Sequence, residues 1–138
     1  LQERGWGGLM LIQRETGLRS YKEQGTQLKA EVTAPLLVSI FNPSSPLHDG
    51  AVIIQNDLID AAACILPLTE SKMIDPDMGT RHRAALGISE ETDAIVVLIS
   101  EEKSKISVAE DGRFSHIGMD QIALQKYLND RMFISSGD

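Results

Sequence analysis

AVIIQNDLIDAAACILPL, residues 51–68, sets two apolar runs on either side of one polar pair, Asn56-Asp57. AVIIQ (51–55) reads as a strand, Asn56-Asp57 as a tight turn and LIDAAACILPL (58–68) as the returning strand. A hairpin this apolar belongs in the middle of a sheet, and the flanking segments are read around it. LMLIQ (9–13) is a short apolar run consistent with a buried strand, closed by the polar ETG turn at 15–17. TQLKAEV (26–32) alternates as a strand does. Thr33 is placed to cap a helix over APLLVSIF (34–41), with Pro35 in its first turn where a missing N–H costs little. The prolines of NPSSP (42–46) end it.

Downstream of the hairpin, TESKMIDPDMG (69–79) reads as a polar loop. A helix is expected from Thr80 through AALGISEE, and AIVVLIS (94–100) is a buried strand. KISVAE (105–110), the turn Asp111-Gly112 and Arg113-Phe114 form a second hairpin. MDQIALQKYL (119–128) carries apolar residues at helical spacing and reads as a closing amphipathic helix. Hairpins mixed with helical crossovers predict a single mixed α/β domain: a central mixed sheet flanked by helices, rather than a purely parallel doubly wound one.

Composition narrows the function. The 138 residues, 42% hydrophobic, suffice for one core without staples. Thirteen Lys and Arg against 20 Asp and Glu, net −7, exclude a general nucleic-acid binder, which needs a basic face. The single cysteine, Cys64, lies in an apolar run and reads as a core residue. No stretch approaches the ~18 apolar residues of a membrane helix. The first residue is leucine rather than methionine, which is expected of a piece of a longer chain.

Against this acidic background, GTRHRAALG (79–87) places Arg81, His82 and Arg83 side by side. The cluster suits a phosphate. Thr80 as cap would leave backbone N–H groups at the positive end of a helix dipole, and Arg offers forked donors matched to phosphate oxygens. On a regular helix Arg81 and Arg83 lie ~200° apart, so either the cluster sits partly in the preceding loop or the two serve different partners: one the ligand, the other a second subunit or an internal carboxylate. The plain alternative is a solvated helix start pairing with Glu90 or Glu91. A second candidate is PLHDGAVI (46–53), where Asp49 suits a general base or a divalent-metal ligand, His48 a metal ligand, and Gly50 a close backbone approach. Its plain alternative is a simple turn, since Asp-Gly is a common turn dipeptide. Ser100-Glu101-Glu102, at the end of the strongest strand, offers either metal-binding carboxylates or a solvated turn.

PLHDGAV and GTRHRAALGISE, about 30 residues apart and in register, resemble the diadenylate cyclase family, marked by an Asp-Gly-Ala motif (Asp49, Gly50, Ala51) and an Arg-His-Arg motif (Arg81, His82, Arg83). The similarity continues through RETGL (14–18), IFNPSSP (40–46), AAACILPLTES (61–71), ISEETDA (88–94) and ISEE (99–102), from about Gly8 to about Gly112. The wording is most similar to the membrane-anchored subtype. The resemblance implies the diadenylate cyclase fold and condensation of two ATP into cyclic di-AMP with release of two pyrophosphates. It implies Asp49 beside the attacking hydroxyl, with His48, Asp49 and Glu102 around Mg²⁺ or Mn²⁺, or Co²⁺. Gly50, Ala51 and Leu66 would meet the nucleotide, Thr80, Arg81, His82 and Arg83 the triphosphate, and Ser100 a phosphate or ribose.

The family also implies a homodimer with one ATP per subunit, and a location on the cytosolic face of the membrane. A membrane regulator and a phosphoglucosamine mutase, a sugar-phosphate mutase, are the further partners it implies; no nucleic acid is among them. On this reading residues 1–7 are a linker from a membrane region, 8–130 the catalytic domain and 131–138 a tail. One departure stands out. Ile65 occupies a position where membrane-type members often carry tyrosine; isoleucine can cover an adenine but not stack on it, a difference of roughly 1 kcal/mol. A competing function is a nucleotide-sensing module of the same fold that binds without turnover. The intact Asp49 and complete Arg-His-Arg favour the enzyme, because a sensor needs no base.

Overall fold

The computed structural model describes residues 1–70, 79–101 and 105–135. Its elements in chain order are β1 (Gly8–Ile12), α1 (Arg19–Glu23), β2 (Thr26–Glu31), α2 (Ala34–Phe41), β3 (Ala51–Gln55), β4 (Leu58–Cys64), α3 (Thr80–Glu91), β5 (Ile95–Ile99), β6 (Ile106–Glu110), β7 (Arg113–Met119) and α4 (Gln121–Ser135), with a single 3-10 turn at Gln2–Arg4 before them. The strands form one sheet in the order β2-β4-β3-β1-β5-β6-β7. β1 runs parallel to β3 (Met10 beside Val52) and antiparallel to β5 (Gly8 beside Ile99); the other pairings are antiparallel. The chain is therefore a single mixed α/β domain with a seven-stranded mixed sheet.

The β3–β4 hairpin lies inside the sheet, between the edge strand β2 and the middle strand β1, as its composition requires. Asn56 (φ 50°) and Asp57 (φ 64°) are both left-handed, the type I′ geometry whose twist matches the flanking strands. Asp111 (φ 53°) and Gly112 (φ 78°) repeat the device between β6 and β7. Central strands are buried on both faces, and their alternation divides the core. Ala51 and Ile53 of β3, with Val96 and Leu98 of β5, pack against Ala85 and Ile88 of α3. Val52 faces Ile40 and Phe41 of α2 on the opposite side. α2 starts where expected: the Thr33 hydroxyl accepts the Leu36 N–H at 3.2 Å, and Pro35 sits in the first turn.

Three expectations need correction. β4 stops at Cys64 instead of running to residue 68. Ala63 is left-handed (φ 55°) beside a register shift, which turns the chain out of the sheet, and Pro67 has no N–H for a ladder. Met119 ends β7 rather than opening the last helix. Asp120 is the cap, its carboxylate accepting the Ala123 N–H at 2.7 Å, so α4 begins at Gln121. Up to Arg131, where its side chains are described, α4 also buries little. Ile122 is 80% exposed, and among these side chains only Leu124 packs on the core, while Tyr127 and Arg131 bond Glu110 and the Tyr127 ring meets His116. α4 runs on to Ser135. At the other end, Leu1 packs against the core clusters that contain Phe41 and Val97. The loop expected over 69–79 falls mostly on residues 71–78, outside the described residues.

Candidate functional site

One end of the sheet gathers the N-termini of β1 and β3, the C-termini of β4 and β5, and the start of α3. A cleft of about 810 Å³ opens there, a size suited to a nucleotide. Leu9, Leu66, Ala84 and Leu98 form its apolar floor.

The loop ahead of β3 supplies one wall. It is built from local bonds: the Asn42 carboxamide oxygen accepts the Ser44 N–H at 2.9 Å, and the Ser45 hydroxyl accepts the Leu47 N–H at 3.0 Å. The Ser45 carbonyl then fixes His48. A carbonyl can only accept, so His48 Nδ1, 2.7 Å away, carries the proton and Nε2 keeps its lone pair for a cation. Asp49 follows, exposed in the cleft wall. Gly50 has φ 109°, and a Cβ there would lie 2.8 Å from the Ala63 carbonyl carbon. Only glycine lets this loop press on β4 and still deliver Asp49 to the cleft.

α3 supplies the facing wall. Its cap is Gly79, not Thr80; Thr80 is the first helical residue, and the first intrahelical bond runs from the Arg83 N–H to the Gly79 carbonyl at 3.1 Å. The N–H groups of the preceding turn therefore lie outside the helix's own bonding, at the positive end of its dipole. Arg81 and His82 line the cleft and Arg83 does not, the divergence that helix geometry requires. Arg81 Nη1 donates to Glu101 Oε1 at 2.5 Å, so the carboxylate opposite the cluster is neither Glu90 nor Glu91. The His82 ring meets Phe114 of β7 edge-on at 5.8 Å.

The segment after β4 closes the cleft. The Thr69 N–H donates to the Arg83 carbonyl at 3.0 Å, and Gly87 lets Pro67 seat against α3. Ile65 (68% exposed) and Leu68 (49% exposed) stand at the rim as uncovered apolar side chains. Cys64 is buried, and burial pushes its thiol up to about 11, which leaves it inert.

Of the residues singled out in sequence, the cleft brings together His48, Asp49, Gly50, Leu66, Thr80, Arg81, His82 and Ser100. Ala51 is buried in β3 and Arg83 points elsewhere. Glu102 lies outside the described residues. Sequence reasoning did not find Leu9 and Leu98, which look like any other core residues of a strand, nor Gly79 as cap. Glu101 was visible only as one carboxylate of a pair.

The DAC family model, DisA bacterial checkpoint controller nucleotide-binding, matches residues 1–114. The chain belongs to this family. Among DAC relatives, the cyclic di-AMP synthase CdaA of Bacillus subtilis is 48% identical over 128 residues, covering 93% of this chain and 46% of its own. The diadenylate cyclase of Listeria monocytogenes is 47% identical over 112 residues, 81% of this chain and 41% of its own. The chain thus spans about half the length of the curated relatives it matches. The crystal structure of a double mutant of DacA from Staphylococcus aureus superposes with a TM-score of 0.89 at 43% identity, covering 94% of this chain and 85% of that one. A Bacillus cereus structure described as a hypothetical membrane spanning protein gives 0.82 at 48%, over 86% of this chain and 58% of that one. These relatives share the mixed α/β fold described above.

Proposed function

We propose that this DAC domain is a diadenylate cyclase, joining two ATP molecules into cyclic di-AMP with release of two pyrophosphates. The observation that carries the reading is the convergence, across one cleft, of the Asp49 loop and the Arg81–His82 turn at the start of α3. One wall offers a carboxylate and an imidazole; the other offers cationic and N–H donors suited to a triphosphate.

The ribose 3′-oxygen of one ATP attacks the α-phosphorus of the other. The bond from that phosphorus to the bridging oxygen breaks, and pyrophosphate leaves with the electron pair. Asp49 accepts the hydroxyl proton. Thr80, Arg81 and His82 bind the triphosphate and stabilise the charge that gathers on pyrophosphate. Gly50 and Leu66 meet the nucleoside, Ser100 a phosphate or ribose oxygen, and Ile65 covers the base.

His48 and Asp49 suit a divalent ion completed by phosphate oxygens: the Asp49 carboxylate suits Mg²⁺ or Mn²⁺, and the His48 imidazole, with its Nε2 lone pair free in the neutral ring, favours Mn²⁺ or Co²⁺ over Mg²⁺. Among the described residues no third side chain joins them; Glu102 is the further ligand we assign. Such an ion would lower the charge on the phosphates and the pKa of the attacking hydroxyl.

Each cleft supplies half of the reaction, so two subunits must face one another about a two-fold axis, with Arg83 available to the second subunit. Among the described residues no helix is long and apolar enough to cross a membrane. The Bacillus cereus relative's description supports a membrane anchor elsewhere in the whole protein; the cytosolic side is where ATP would be met.

The test is chromatographic detection of cyclic di-AMP after incubation with ATP and Mg²⁺, Mn²⁺ or Co²⁺. Wild type should form product and Asp49→Asn should lose at least about a hundredfold, the usual contribution of a positioned base. Nucleotide binding with no product under any metal would leave a sensing module instead.

A further inference from the structure

The first turn of α3 carries Arg81 and Arg83 and no acidic residue. Cations there oppose the helix dipole and one another. The structure resolves this for Arg81 with one anion, Glu101, whose Oε1 lies 2.5 Å from Nη1. The pair is formed across the cleft from β5 to α3, with Arg81 27% and Glu101 59% exposed. Its back is set by Gly7, a buried residue just ahead of β1. A Cβ at Gly7 would overlap Arg81 Nη1 and lie 2.7 Å from Glu101 Cγ, so the absence of a side chain at residue 7 shapes the seat of the pair.

We propose that Glu101 is a positioning residue that acts through Arg81, serving as its resident anion until a triphosphate displaces it. The inference rests on the reading of the cleft as a triphosphate site. A guanidinium held by a carboxylate stays at the cleft wall rather than sweeping solvent, but its Nη1 donor is occupied. An incoming polyphosphate must take it over, and Glu101, of like charge, must turn toward water. Its exposure permits that turn. Once pyrophosphate leaves, Glu101 recovers Arg81, which favours release. Glu101 thus trades triphosphate affinity for an ordered arginine and an emptied site.

The test is calorimetric titration with a non-hydrolysable ATP analogue and divalent metal, comparing wild type, Glu101→Gln, Arg81→Ala and the double variant. Glu101→Gln keeps the shape of the side chain and removes its charge. Analogue binding should tighten about three- to fivefold, the scale of a half-exposed ion pair, with the gain shrinking as salt is raised. The gain should vanish on the Arg81→Ala background. Unchanged or weaker binding by Glu101→Gln overturns the proposal, and so does an equal gain without Arg81, which would be a general charge effect. Wild type that binds no analogue at all would overturn the triphosphate reading itself and this proposal with it. On a Gly7→Ala background, where Arg81 and Glu101 must shift to make room for the Cβ, Glu101→Gln should give a smaller gain; a full gain there counts against the role assigned to Gly7.

Discussion

Gly50 joins two demands that no other residue meets. Its φ of 109° is unfavourable for any side chain, and a Cβ there would run into the Ala63 backbone and the Cys64 carbonyl of β4. Gly50→Ala should therefore cost about 1–3 kcal/mol of stability, measured by urea unfolding, and displace Asp49 enough to depress product formation more than the stability loss explains. Tyr21 is a residue-scale tie of another kind. Its hydroxyl donates to Glu91 Oε2 at 2.5 Å, joining α1 to the end of α3. That hydrogen bond, with burial and the Glu91 charge behind it, pushes the phenol from 10.0 up to about 12. A folded-state value raised above the unfolded one stabilises at pH below the unfolded value and is lost as pH rises through the folded one. Wild type should therefore be more stable than Tyr21→Phe at neutral pH. The gap between their urea midpoints should narrow between about pH 10 and about pH 12.

At the scale of the element, α3 is the piece on which the cleft depends. Ala84, Ala85 and Ile88 are buried in the core, while Thr80, Arg81 and His82 of its first turn line the cleft. Its distance from the 65–69 segment is set by Gly87, where a Cβ would collide with the Pro67 carbonyl oxygen and lie 2.9 Å from the Thr69 nitrogen. Both obstacles are backbone and cannot rotate away. Gly87→Ala should destabilise by roughly 1–3 kcal/mol, read as a lowered thermal midpoint. It should also break the Thr69–Arg83 bond, so the surviving folded protein should bind nucleotide more weakly, by calorimetry. At the far end of the same helix, Asp93 accepts the N–H groups of Glu15 and Thr16 at 3.0 and 2.9 Å. Burial raises that carboxyl, yet these backbone bonds prevail and hold it below 3.8. The RETG turn is thereby anchored to the segment between α3 and β5.

For the whole molecule, the proposed reaction needs two clefts, one from each of two subunits. Net charge −7 on each chain opposes association. Turnover per chain should rise with protein concentration until pairing saturates, and the rise should begin at lower concentration in higher salt; a rate per chain independent of concentration down to nanomolar levels would contradict pairing on demand. The sequence by itself determined most of the elements. Thr33 capping α2, the Asn56-Asp57 and Asp111-Gly112 turns, and the doubly buried β3 and β5 all depend on neighbours within a few residues, so they are legible in a linear string. The motif positions Asp49–Gly50 and Arg81–His82 were legible for the same reason. The early end of β4 was not, because a left-handed Ala63 is imposed by Gly50 against it rather than by its own propensity. The exposed α4 was not, because apolar spacing says which side a helix would bury and not whether a partner face exists. Only the tertiary structure decided that Glu101 holds Arg81, twenty residues away, over the bare backbone of Gly7. Such contacts join segments with no local correlation, and sheet order and packing distance, which create them, are properties of the assembled chain.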